Sequence, residues 1–199
     1  MKNTKKIVLD LCGGTGAWSK PYVDSGYEVI NITLPDYDIL RWKDYPEIIE
    51  LVRGNKVHGI LAAPPCTMFS IARNDITAKK KRDLREGYSI VQACLDIIHE
   101  CLYEPFRIKD NSLKFWALEN PRGYLDRFLG KQAFEFDPFD FGDPYTKHTY
   151  LWGHFKEPKK KPVKPQKFGN SEGTFVKEVE HFKHMKQDQL PESYQKKRA

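Results

Sequence analysis

The chain has 199 residues, of which 40% are hydrophobic and 30% are charged, enough apolar residues for one substantial core. No segment reaches the apolar length of a membrane span, and the charged N-terminus lacks the apolar stretch of a signal peptide, so we expect a soluble, cytoplasmic protein. The four cysteines, at positions 12, 66, 94 and 101, show neither C-x-x-C spacing nor histidines at metal-ligand spacing, which predicts that the protein binds no metal.

The net charge of +6 is unevenly distributed along the chain. Residues 1–153 contain 21 Lys plus Arg and 21 Asp plus Glu, whereas residues 154–199 contain 12 and 6. Prolines recur among the lysines of residues 156–167, which excludes a helix and favours an extended chain. We therefore predict a catalytic domain over residues 1–153 and a basic, Lys/Pro-rich tail over residues 154–199. Such a tail suggests a polyanionic partner, although many basic tails only increase solubility.

Strand and helix patterns alternate along the first two thirds of the chain. The predicted elements, in order, are strand 6–11, helix 18–25, strand 27–33, helix 44–53, strand 57–62, helix about 82–102, strand 115–118 and helix about 122–130. Two apolar-aromatic segments, 133–136 and 149–152, are expected to be strands at the far edge of the sheet. This alternation predicts an α/β fold with a mostly parallel, doubly wound sheet.

A glycine-rich turn follows the first predicted strand. The segment Asp10-Leu11-Cys12-Gly13-Gly14-Thr15-Gly16 should lead directly into a helix. The third glycine of a dinucleotide-binding turn would fall at Ser19, so this segment departs from that pattern. An acidic residue four positions before Gly14 is instead typical of an S-adenosylmethionine loop. An ordinary tight turn is the alternative.

Two further motifs follow predicted strands. Pro64-Pro65-Cys66 comes just after strand 57–62, and Glu119-Asn120-Pro121 comes directly after strand 115–118. Because the carboxyl ends of parallel strands meet at one edge of a sheet, a thiol and a carboxyl are expected at the same edge. A structural loop cysteine and a buried glutamate that caps the next helix are the alternatives.

These motifs, together with Tyr37-Asp38-Ile39 and Tyr145–Trp152, resemble those of the cytosine-5 DNA methyltransferases, most closely the short, solitary forms found in bacteriophages. The resemblance covers residues 6–153. It implies a Rossmann-like, class I S-adenosylmethionine-dependent methyltransferase fold and methyl transfer to carbon 5 of cytosine. S-adenosylmethionine is then the cofactor, DNA is the partner, and the setting is the cytoplasm of a bacterial or phage-infected cell.

The resemblance also implies roles for individual residues. Cys66 would add to carbon 6 of cytosine, and Glu119 would share or donate a proton at ring nitrogen 3. The cofactor-binding residues would be Asp10, Cys12, Gly13, Gly14, Thr15, Gly16, Thr33, Asp38, Ile39 and Pro65. The second strand ends without the acidic residue that normally binds the ribose hydroxyls, so Thr33 or Asp36 would have to serve.

Nucleic-acid binding is predicted for several basic residues. Lys147 lies where the family usually carries arginines that approach the target base, and Arg73 is close to Cys66 in sequence, where it could hold a phosphate or favour the thiolate. In the tail, the lysines expected to contact phosphate are Lys159, Lys160, Lys161 and Lys164.

The full-size enzymes insert a large target-recognition domain after the segment that ends here at Trp152, and 46 residues follow Gly153. Sequence specificity should therefore be low or short, or should come from a partner chain. Two rival functions stay open: modification of cytosine nucleotides or single-stranded nucleic acid, and a non-catalytic module that binds nucleic acid or a host protein.

Overall fold

A computed structural model of the protein describes residues 6–71, 81–103 and 111–165. Two compact units are distinguished within the chain. The first contains Met1–Glu135 and Thr149–Glu157, and the second contains Phe136–His148 and Pro158–Ala199. The domain boundary between residues 153 and 154 stays a prediction.

Six strands and four α-helices form the regular structure of the described residues. The strands are β1 (Ile7–Leu11), β2 (Glu28–Ile32), β3 (Val57–Ala62), β4 (Phe115–Pro121), β5 (Phe134–Phe136) and β6 (Thr149–His154). The helices are α1 (Lys20–Asp24), α2 (Pro46–Arg53), α3 (Leu84–Tyr103) and α4 (Asp126–Leu129), and short 3-10 turns cover Ile39–Asp44, Cys66–Met68 and Pro138–Phe141. None of the helices in the described ranges is long and apolar enough to cross a membrane.

The strands form a single mostly parallel sheet in the order β2-β1-β3-β4-β6-β5. Strands β2, β1, β3 and β4 run parallel, whereas β6 runs antiparallel to β4. In register, Leu11 pairs with Ile32 on one side and Ala62 on the other, and Ala62 pairs with Leu118. The residues that follow these positions therefore lie along one edge of the sheet.

Helices cover both faces of this sheet, as the alternation of strand side chains requires. On one face, Leu9, Ile60 and Leu118 belong to the same buried cluster as residues of α2 and α3. On the other, Phe115 packs over Gly59, where a Cβ would lie 2.1 Å from its ring. Tyr22 of α1 stacks on that ring with the centroids 5.4 Å apart. The predicted α/β class with a mostly parallel sheet is confirmed.

Strand β4 is longer than the sequence pattern predicts. It continues beyond Leu118 to Pro121, because Glu119, Asn120 and Pro121 pair with Leu151, Tyr150 and Thr149 of β6. The expectation that Glu119 follows the strand is therefore wrong: the residue lies within it, held on one side by an antiparallel neighbour. The backbone of Glu119 is consequently fixed by the sheet.

The described part of the second unit contains the first tail residues. Asp137 caps the 3-10 turn Pro138–Phe141 in a capping box with Asp140. Lys160 forms an ion pair with Asp140 at 2.8 Å, which lowers the pKa of that carboxyl, and the backbone N–H of Lys161 donates to the Asp140 carbonyl at 2.7 Å. No helix or strand is assigned in residues 155–165. Residues 158–165 are therefore partly paired with their own unit.

Candidate active site

The glycine-rich loop after β1 depends on backbone conformations that favour glycine. Gly14 and Gly16 have φ values of +54° and +73°, and Cys12 has a φ of +58°. A Cβ at Gly13 would lie 2.3 Å from the carboxyl carbon of Asp10, so only glycine allows the loop to pack directly on that carboxylate. The loop is closed by a hydrogen bond from the Gly16 N–H to the Gly13 carbonyl at 2.9 Å.

Asp10 lies beneath this loop and is fully buried. The Ser19 hydroxyl donates to its Oδ2 at 2.5 Å, while Oδ1 is buried and has no hydrogen-bond partner among the described residues. Burial raises the pKa of Asp10, and the bond from Ser19 only partly opposes this shift. Buried acceptors in proteins normally have a hydrogen-bond partner. We therefore expect a bound ligand, or an N–H of the glycine loop after rearrangement, to donate to Oδ1.

The other predicted cofactor residues lie after β2, the strand next to β1. Thr33 is half-buried and directly follows β2, and its carbonyl accepts from the N–H of Tyr37 at 2.9 Å. The Asp38 carboxylate accepts from the Leu40 N–H at 3.0 Å and so caps the 3-10 turn, while Ile39 is buried in the core. Asp38 therefore has a structural role, and its role in cofactor binding stays a prediction.

Asn31 of β2 is a site residue that the sequence argument missed. Its amide donates to the carbonyl oxygen of Gly14 at 2.9 Å, which ties the glycine loop to the neighbouring strand. Its Oδ1 is buried without a hydrogen-bond partner among the described residues. A polar residue among the apolar residues of this strand was the available signal.

The Cys66 turn begins at the carboxyl end of β3. Pro64 is buried, whereas Pro65 is exposed and Cys66 is half-buried, so the segment emerges from the core just before the thiol. The amide of Asn120, which is fully buried on β4, donates to the Pro64 carbonyl at 2.9 Å. The N–H groups of Phe69 and Ser70 both donate to the Cys66 carbonyl at 2.9 Å, which winds the turn tightly.

Arg82 holds the far side of the same turn. Its guanidinium donates to the carbonyl oxygens of Met68 and, at 3.1 Å, Ser70, and it lies 4.7 Å from the ring centroid of Tyr124. The N–H of Tyr124 donates to the Phe69 carbonyl at 2.9 Å. The Cys66 turn is therefore anchored at both ends to the segment that contains and follows β4.

Glu119 completes the arrangement on the strand next to β3. Because Ala62 pairs with Leu118, Glu119 lies level with Ala63, three residues before Cys66. Its side chain is half-buried, and the adjacent Asn120 makes the bond to Pro64. The structure thus brings the thiol and the carboxyl to one edge of the sheet on neighbouring elements, and the glycine loop follows β1 on the other side of β3.

The predicted nucleic-acid contacts are not brought together in this way. Arg73 lies outside the described residues. Lys147 is exposed in the second unit, two residues before the start of β6 in the sequence. Among the tail lysines, Lys160 is engaged with Asp140, and Lys159, Lys161 and Lys164 have exposed side chains. Their contacts with nucleic acid stay predictions.

S-adenosylmethionine is the cofactor expected at the loops after β1 and β2, and its binding there stays a prediction. The backbone of residues 13–16 and the exposed Thr15 offer polar groups to a ligand, and a Cβ added at Gly14 would meet no atom within 4 Å. No cluster of three or more His, Cys, Asp or Glu side chains that could hold a metal occurs within residues 6–71, 81–103 and 111–165.

Comparison of the chain with models of known protein families and with curated proteins finds no match.

Replacing Asp10 by Asn should change how stability depends on pH. The folded-state pKa of Asp10 is raised above the usual 3.8, so the native protein binds this proton more tightly than the unfolded chain does. Wild-type stability should therefore fall, relative to Asp10→Asn, as the pH rises from about 4 through the raised folded-state pKa. Urea unfolding of both proteins from about pH 4 to about pH 8 measures this difference, and a constant or opposite difference would contradict the assignment.

Replacing Arg82 by Gln should loosen the Cys66 turn without unfolding the sheet. Hydrogen bonds from a charged donor contribute about 1.5–3 kcal/mol, so amide exchange at Phe69 and Ser70 should accelerate by about 10-fold or more. Arg53→Gln is the matched control, because Arg53 pairs with Glu100 elsewhere. Hydrogen exchange followed by NMR provides the measurement, and equal protection in both variants would show that Arg82 does not hold the turn.

Proposed function

We propose that the protein is a cytosine-5 methyltransferase of the Rossmann-like class I type that uses S-adenosylmethionine and acts on DNA. The observation that carries this proposal is the hydrogen bond from Asn120 to Pro64, which fixes the Cys66 turn beside the strand that bears Glu119. A thiol and a carboxyl held on neighbouring elements are the two groups that covalent addition to a cytosine ring requires.

The chemistry assigned to these residues is addition followed by elimination. Carbon 5 of cytosine is a poor nucleophile, so the Cys66 thiolate forms a bond to carbon 6 and the electron pair of the 5,6 double bond moves to carbon 5. The Glu119 carboxyl shares or donates its proton at ring nitrogen 3 and so stabilises the adduct. When bound, S-adenosylmethionine would supply an electrophilic methyl group for carbon 5 and leave as S-adenosylhomocysteine.

The second half of the reaction restores the two side chains. Water removes the proton from carbon 5, and the electron pair of that C–H bond re-forms the double bond. The bond from carbon 6 to the Cys66 sulfur breaks, its electron pair returns to the thiolate, and Glu119 recovers its proton. Each turnover then converts cytosine to 5-methylcytosine with the release of one proton.

The glycine loop supports the proposal on the cofactor side. Gly13 to Gly16 and Asp10 would hold the methionine and ribose portions, Asp38 and Ile39 would meet the adenine, and Pro65 would lie near the sulfonium. Because Asn31 fixes the Gly14 carbonyl and Ser19 fixes Asp10, this loop is supported by side chains from two elements before any ligand binds.

The experiment that tests the proposal is transfer of tritium from methyl-labelled S-adenosylmethionine. Duplex DNA, single-stranded DNA, RNA and dCMP are offered separately, and the labelled base is identified by chromatography after hydrolysis. The proposal expects label in 5-methylcytosine from DNA. Label in RNA or dCMP alone would show that the substrate is that molecule and not DNA. Label in none of the four would refute the enzymatic function.

Variants of Cys66 and Glu119 should reduce methyl transfer by different amounts. Cys66→Ser should abolish label transfer, and Glu119→Gln should lower turnover by about 10²-fold, the usual scale for a proton-transfer group. Glu50→Gln is the matched control, since Glu50 is exposed and pairs with Lys56. Turnover of Glu119→Gln equal to that of Glu50→Gln would remove the carboxyl from the mechanism.

A further inference from the structure

Among the described arginines of the first unit, Arg82 donates to backbone carbonyls, and the others fall into two groups. Arg41 and Arg53 form ion pairs with Asp44 and Glu100, at 2.8 and 3.2 Å. Arg85, Arg122 and Arg127, by contrast, have no carboxylate partner among the described residues, and their positions are exposed. Within the described residues of this unit, the guanidiniums without a carboxylate partner and with exposed positions therefore lie at the start of α3 and after β4.

These two segments surround the Cys66 turn. Ser70, just after the turn, forms a β-bridge with Gly123, where a Cβ would lie 2.2 Å from the Phe69 carbonyl oxygen. Gly87 of α3 also packs against the turn, because a Cβ at this position would lie 2.7 Å from the Met68 Cβ. The unpaired arginines therefore lie on the backbone segments that pack directly against the candidate nucleophile's turn.

The ring of Tyr124 lies against two guanidiniums in this region. The guanidinium carbons of Arg82 and Arg127 lie 4.7 and 4.8 Å from the ring centroid of Tyr124. The guanidinium of Arg82 donates to the Met68 and Ser70 carbonyls. The guanidinium N–H groups of Arg127, by contrast, have no hydrogen-bond partner among the described residues. A guanidinium held against a ring keeps its planar fork available at reduced conformational cost, which suits bidentate binding of phosphate.

Asp83 and Asp126 form no ion pair with the arginines of this cluster. The Asp83 Oδ1 accepts from the N–H groups of Arg85 and Glu86 and so caps the start of α3. Asp126 precedes Arg127 in α4, yet no ion pair joins it to Arg122 or Arg127. Arg82 and Arg127 lie at the Tyr124 ring, and Arg122 follows the end of β4. These three cations form a local positive charge that can attract a polyanion.

We propose that Arg122, Tyr124 and Arg127, the Tyr124 patch, bind the phosphate backbone of the DNA strand that enters the Cys66 site. This inference rests on the proposed function for the identity of the polymer. Arg127 and Arg122 contact phosphate, and Tyr124 fixes Arg127. Because Arg82 shares the Tyr124 ring and holds the Cys66 turn, the patch that binds the backbone also supports the turn that carries the thiol.

The test compares two double variants with the same loss of charge. Arg122→Gln/Arg127→Gln removes the patch cations, and Arg41→Gln/Arg53→Gln removes two arginines that are already paired. Anisotropy of a labelled duplex without cytosine, measured without S-adenosylmethionine between about 50 and about 200 mM KCl, reports binding alone. The patch variant should bind about 10-fold more weakly and lose about 1.8 from the salt slope, while the control should stay close to wild type.

The outcomes separate this inference from the proposed function. Equal affinities and slopes for the two double variants would overturn the patch even if the wild type methylates DNA. Loss of binding in the patch variant alone would support the patch even if no substrate is ever labelled. If KM for dCMP rises while duplex affinity is unchanged, the patch binds a single nucleotide phosphate and the inference about the DNA backbone is wrong.

Discussion

The arrangement of the site depends on one buried hydrogen bond, between the Asn120 amide and the Pro64 carbonyl. Neighbouring parallel strands bring their ends to one edge, but the loops that follow are free to diverge. This bond prevents that divergence, since a buried amide left without its partner costs about 1–3 kcal/mol. The thiol of Cys66, two residues after Pro64, is therefore held beside the strand that carries Glu119, which β6 fixes from its other side.

The two halves of the site are made rigid in different ways. The glycine loop uses backbone conformations that favour glycine, and side chains of β2 and of the start of α1 hold it from outside. The Cys66 turn is held by a buried amide at one end and a guanidinium at the other. A loop that receives a cofactor needs room above its backbone, whereas a nucleophile must keep its direction, so the difference is consistent with the two proposed roles.

The periodic patterns were sufficient to predict the order of the helices and strands, although not the full length of β4, because apolar residues at spacings of two and of three or four determine which faces are buried. They were also sufficient to predict that Cys66 and Glu119 share an edge, which follows from parallel pairing alone. The contacts that fix the site could not be predicted. Asn120 and Pro64 are 56 residues apart, and Arg82 reaches back 14 residues to Met68. Such contacts arise from tertiary packing, and local patterns carry no information about them.

The central claim is that Cys66 attacks the cytosine ring, and covalent trapping tests it most directly. DNA that contains 5-fluorocytosine cannot lose a proton from carbon 5, so elimination fails after methyl transfer and the adduct persists. Incubation with S-adenosylmethionine, followed by protease digestion and mass spectrometry, should locate the modified nucleotide on the peptide that contains Cys66. An adduct on another residue, or none from a preparation that methylates ordinary DNA, would contradict the account.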